Sequence, residues 1–129
     1  VWEEQNPQKA LSWVLGRLME RLQGVKEAAV ADAHGLTLAT GSQGRRRGEA
    51  SAVGALITQS SKEFFKGLGI LGDPQWVVLE GEAATVVASP VPGGEESLIV
   101  VLESGADIPR TKVEMQKVLI YVREILDRM

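Results

Sequence analysis

The stretch Leu98-Ile99-Val100-Val101-Leu102 is apolar at every position. A strand with water on one side alternates apolar and polar side chains, so this unbroken run predicts a strand covered on both faces. Such a strand needs sheet neighbours and a helical layer on each side, a condition that narrows the fold more than any other feature of the chain. The run Ala28-Ala29-Val30-Ala31 makes the same demand with smaller side chains.

The spacing of apolar residues supplies the helices. Asn6-Pro7 makes a helix start, an N-cap oxygen followed by a residue with no N–H to leave unpaired. From there Leu11, Val14, Leu15, Leu18, Met19 and Leu22 recur at spacings that form one broad stripe, and Gly24 suits the C-terminal stop. A second helix is predicted over 49–67, ended by Gly67-Leu68-Gly69 and Asp73-Pro74. One of its stripes, Val53, Ile57, Ser60, Phe64 and Leu68, is expected to face the core. The adjacent stripe, Ala50, Gly54, Ser61 and Phe65, is dominated by small residues that permit close approach of another backbone. Pro109 falls near the first turn of a last helix whose apolar face is Met115, Val118, Leu119, Val122, Ile125, Leu126 and Met129.

Between the helices lie five strand candidates. Residues 28–32 and 36–40 flank Ala33-His34-Gly35, a hairpin whose glycine can supply positive φ. Residues 76–80, 83–89 and 97–102 follow, joined by Gly81-Glu82 and by a turn over 90–96. The order is helix, two strands, helix, three strands, helix. It predicts an α/β/α sandwich around a five-stranded sheet, mainly antiparallel because the links are short. At 129 residues the chain is expected to form a single domain over 7–129 behind a tail over 1–6.

Composition removes several functions. Seventeen acidic against fourteen basic residues give a net charge of −3, which withholds the attraction a non-specific nucleic-acid binder uses. There is no cysteine, hence no thiol chemistry, disulfide framework or thiolate metal site, and a reducing cytoplasm suits such a chain. The start VWEEQNPQK lacks signal-peptide features and no apolar run approaches the ~20 residues of a membrane span, so a cytoplasmic protein without membrane insertion is expected. One histidine provides too few ligands for zinc, and neither a G-x-S-x-G elbow nor a phosphate-binding glycine loop is present. No catalytic residue, cofactor or metal is expected. His34 is read as the tip of its turn, with Asp32 near enough to orient it. The basic loop Arg45-Arg46-Arg47 is read as a solvated segment, with an arginine supplied to another protein's site as the sharper alternative.

What remains is apolar surface without an owner. Trp13 lies opposite the stripe of the first helix, and Val113 and Ile120 sit behind the main face of the last one. The small-residue stripe of the middle helix, and a strand at 76–80 with no proline or lysine to guard its edge, together predict a symmetric homodimer. Its contacts are expected at Ala50, Gly54, Ile57, Ser61, Phe65, Trp76 and Val78. Partner contacts are expected at Arg45, Arg46, Arg47 and Trp13.

Four segments carry a family resemblance: "LQGVKEAAVADAHGLTLAT", "EASAVGALITQSSKEFFKGL", "WVVLEGEAATVVASP" and "SLIVVLES". In these the chain resembles Roadblock/dynein light-chain domains of the compact prokaryotic type, over roughly residues 7–126. The resemblance implies a profilin-like fold with the first and third helices on one sheet face and the second on the other. It implies dimerisation through the second helix and third strand. It also implies a non-enzymatic regulator that binds a small Ras-like GTPase, or another nucleotide hydrolase, and promotes GTP hydrolysis by stabilising the GTPase switch region. A signalling scaffold without activating role, and a small-ligand sensor on the same architecture, are the alternatives.

Overall fold

The computed structural model describes residues 6–41 and 49–129, with side chains in the second stretch from Val53 onward. Its elements are α1 (Pro7–Glu20), β1 (Val25–Ala31), β2 (Thr37–Thr40), α2 (Glu49–Gly67), β3 (Val77–Glu80), β4 (Ala84–Pro90), β5 (Ser97–Glu103) and α3 (Ile108–Leu126). The five strands form one sheet in the order β2-β1-β5-β4-β3, and every neighbouring pair is antiparallel. The all-apolar run therefore occupies the central strand, and the small apolar run lies beside it.

Local chemistry sets the helix ends. The Asn6 side chain accepts a hydrogen bond from the Lys9 N–H at 2.9 Å, and Asp107 does the same for Arg110 at 3.0 Å. Proline follows within the first two positions of both helices, where its missing N–H costs nothing. At the end of α2, Gly69 takes φ +71°, Ile70 N–H bonds Phe65 C=O at 2.9 Å and Gly69 N–H bonds Lys66 C=O at 3.0 Å, a left-handed cap. Gly24 has a different task from the one periodicity assigns. Helix α1 closes at Arg21, and Gly24, at φ +72°, turns the chain into β1 with its C=O taking the Glu103 N–H.

Alternation along the strands divides the core in two. On one face Ala28, Val30, Val87, Leu98, Val100 and Leu102 pack against α1 and α3, with Leu11, Leu15, Leu18, Met115, Val122 and Ile125 fully enclosed. On the other face Ala31, Ala88 and Ile99 pack against Ala55 of α2. Ile99 is paired across the sheet with Ala29 and Ala88, so one branched side chain projects toward α2 from between two small ones. Gly54 lies over it: a Cβ there would stand 2.9 Å from Ile99 Cδ1, 3.0 Å from Cγ2 and closer still to Cγ1. Only a glycine allows α2 this approach.

Candidate functional site

That close approach reverses the roles the two α2 stripes take on periodicity alone. Gly54, Ala55 and Thr58 are buried on the protomer's own sheet, the Thr58 hydroxyl donating to Gly54 C=O at 2.8 Å. Val53, Leu56, Phe64 and Leu68 point away from it, with Leu56 67% and Phe64 64% exposed. The physical reason lies in the sheet: where α2 crosses it, Ala31 and Ala88 hold the helix close around Ile99, with Val77 and Val86 at the margin, and close packing admits only small residues beneath the helix. Val53, Phe64 and Leu68 are thus not core residues, and Gly54 has no free surface to offer a partner.

The remaining expected interface residues distribute as follows. Ile57, Ser61 and Phe65 are half-buried on the flank of α2, the Ser61 hydroxyl donating to Ile57 C=O at 2.8 Å. Val78 packs toward the α1/α3 core, and Trp76, just before β3, does the same with the Lys112 ammonium 5.8 Å from its ring centroid. The side chain of Ala50 and all of Arg45, Arg46 and Arg47 lie outside the described residues. Trp13 is exposed on α1, its ring 5.9 Å from the Arg17 guanidinium.

What the structure brings together is a different apolar surface. Of the thirteen large exposed hydrophobics among the described residues, seven lie on α2, on the loop after it or on β3: Val53, Leu56, Phe64, Leu68, Ile70, Leu71 and Leu79. Strand β3 ends the sheet, so among the described residues one of its edges has no partner strand, and Leu79 shares the sheet face on which α2 lies. An unpaired strand edge beside a projecting apolar helix offers backbone hydrogen bonds and apolar contact to the same partner. The signal that finds these residues in the sequence is the demand of an alanine-rich sheet face for a small helix face, which turns the large residues outward.

His34 is exposed at the β1–β2 turn. Asp32 does not orient its imidazole; one carboxylate oxygen accepts the backbone N–H groups of His34 and Leu36, each at 2.9 Å, and so builds the turn itself. A depression of about 750 Å³ lies among Trp76, the β4–β5 loop and α3. Its two cations are matched in place, Lys62 by Glu95 at 3.6 Å and Arg123 by Glu96 at 3.2 Å, so they fasten the β4–β5 loop to α2 and α3. Among the described residues no group of three or more metal-ligating side chains occurs.

An antiparallel five-stranded sheet with one helix on one face and two on the other defines a profilin-like fold. The chain is similar in structure to Acanthamoeba castellanii profilin II, with a TM-score of 0.52 at 15% identity, covering 83% of this chain and 94% of that one. The Roadblock/LC7 domain model matches residues 11–103, and the chain belongs to that family. It is similar to a Roadblock/LC7 domain from Streptomyces avermitilis, with a TM-score of 0.82 at 21% identity over 89% of this chain and 96% of that one. It is equally similar to the gliding protein MglB from Thermus thermophilus, at TM-score 0.82 and 18% identity over 97% and 94% of the two chains. No curated protein matches it in sequence.

Proposed function

We propose that this protein is a dimeric regulator of a small Ras-like GTPase, contacting the switch region and favouring the conformation that hydrolyses GTP. The observation that carries the reading is the apolar surface of α2 beside the unpaired edge of β3, on a Roadblock/LC7 domain. Self-association through β3 would extend the sheet and cover Leu79, while Val53, Leu56 and Phe64 would meet their symmetry mates on α2. The half-buried Ile57, Ser61 and Phe65 flank that contact. The likeness to a gliding protein and the family resemblance both support a GTPase as the partner. Activation then requires only that the dimer bind the hydrolysis-competent switch conformation more tightly than the other. The basic loop Arg45-Arg46-Arg47 assists docking in this reading, as a charged rim.

The test is single-turnover GTP hydrolysis by a Ras-like GTPase encoded beside this protein, with and without it, together with a binding assay. Acceleration is the expected result. Binding without acceleration would replace the activator by a scaffold, and absence of both would end the GTPase reading. Light scattering checks the dimer: Phe64→Asp should halve the mass of the particle while the circular dichroism spectrum is unchanged.

A further inference from the structure

The helical layer on the other side of the sheet carries its own unclaimed surface. On α1, Lys9, Trp13, Arg17 and Arg21 follow one another at intervals of four, which places them along one ridge. On α3, Arg110, Val113, Lys117 and Ile120 do the same at three and four. Each ridge mixes cations with an exposed apolar side chain: Trp13, Val113 and Ile120 are all exposed, as is Tyr121 next to them. A groove of about 700 Å³ runs between the helices, with Arg17, Arg21 and Lys117 on its rim alongside Glu114 and Glu124.

Charge is strongly segregated. Segments 7–21 and 108–129 together carry eight basic and four acidic residues, a surplus of four positive charges in a chain whose total is −3, so the rest of the chain holds −7. Three of the four acids are matched inside the layer: Glu20 by Arg17 at 3.2 Å, Glu114 by Lys117 at 3.2 Å and Asp127 by Arg123 at 2.9 Å. Arg21 and Arg110 are both exposed and line one depression at the end of the layer, which Glu20, Glu103 and Asp107 share.

We propose that the outer surface of α1 and α3 docks onto an anionic lipid bilayer. Cations interleaved with tryptophan, tyrosine and isoleucine on helices lying in one plane suit that occupant. Phosphate-bearing headgroups meet the guanidinium and ammonium groups, and the rings and aliphatic chains reach the boundary with the acyl region. Among the described residues no helix is long and apolar enough to cross a membrane, so the contact is peripheral and sensitive to salt. The α2/β3 surface takes no part in it, and the inference stands apart from the GTPase reading.

The test is co-sedimentation of the full chain with phosphatidylcholine vesicles containing about 30% phosphatidylserine, against pure phosphatidylcholine. Binding to the anionic vesicles alone is expected, with loss at about 0.5 M salt as the Debye length shrinks. Arg21→Glu with Arg110→Glu should lower the vesicle partition coefficient by about tenfold or more, and Ile120→Ser by about threefold, each with an unchanged circular dichroism spectrum. No binding to anionic vesicles at low salt overturns the proposal. So does binding that survives the charge reversals, which would place the lipid contact elsewhere. Saturable binding of an acidic protein to this face without vesicle binding would make it a protein interface and overturn the lipid assignment.

Discussion

The two faces of the sheet hold their helices by different means. Toward α1 and α3 the strands project leucine and valine, and the helices answer with leucine, methionine and isoleucine, giving a deep core that excludes water by volume. Toward α2 the strands project Ala31 and Ala88 around Ile99, with Val77 and Val86 only partly buried, and the helix answers with Gly54 and Ala55, giving a thin core that works by close approach. A thick core leaves its helices free to carry charge outside. A thin core pushes the large side chains of its helix outward, so the tight packing beneath α2 is also what creates the apolar surface above it. The candidate interface and the shape of the core are one consequence of the same alanines.

Substitutions on each face should expose that difference. Leu15→Ala empties part of the thick core, where Leu15 has no exposure, and should cost about 2–5 kcal/mol in denaturant unfolding. A loss under about 1 kcal/mol would mean that this core refills easily and is less tightly packed than described. Gly54→Ala acts in the opposite sense, adding one carbon where the Ile99 side chain already stands. Overpacking should outweigh the gain in helix propensity and leave a net loss of about 1–3 kcal/mol. The sharper form is a double-mutant cycle with Ile99→Ala, whose removal of the obstructing branch should make the Gly54 substitution neutral or favourable. Additive effects would disprove the close approach. The same geometry makes a larger residue at position 54 a poor probe of dimerisation, because it would damage the protomer first.

Most of the architecture is legible in the sequence because it rests on patterns that packing cannot override. The unbroken run at 98–102 requires the central place in the sheet that β5 has, and the Asn-Pro start of α1 needs no tertiary help. The site is less legible, for a physical reason. Helical periodicity says that α2 has two stripes but not which one turns inward, since Gly54 and Phe64 serve equally well as close contact or as core until the facing surface is known. The decisive information sits far away in the chain, at Ala29, Ala31, Ala88 and Ile99, whose common face appears only after the strands are paired in register. Gly24 misleads similarly. Its positive φ belongs to the turn before β1, and a helix stop and a strand entry a few residues apart ask for the same residue. The turn built by Asp32 involves only backbone N–H groups of its neighbours, so nothing in side-chain pattern separates it from an imidazole partner.

The smallest expected effect is the most discriminating for the two-face comparison. Phe64→Ser removes as large a side chain as any in the thick core, yet Phe64 is 64% exposed. If the outward stripe of α2 belongs to an interface, the folded protomer should lose no more than about 0.5 kcal/mol, measured by chemical unfolding at a dilution where association no longer contributes. Self-association measured at higher concentration should fall sharply over the same substitution. Two other patterns each have a clear meaning. A loss comparable to that of Leu15→Ala would place Phe64 in the protomer's core and merge the two faces into one kind of packing. An unchanged stability with unchanged association would keep the thin core but move the self-contact to another surface, leaving the apolar stripe of α2 for a partner of different sequence.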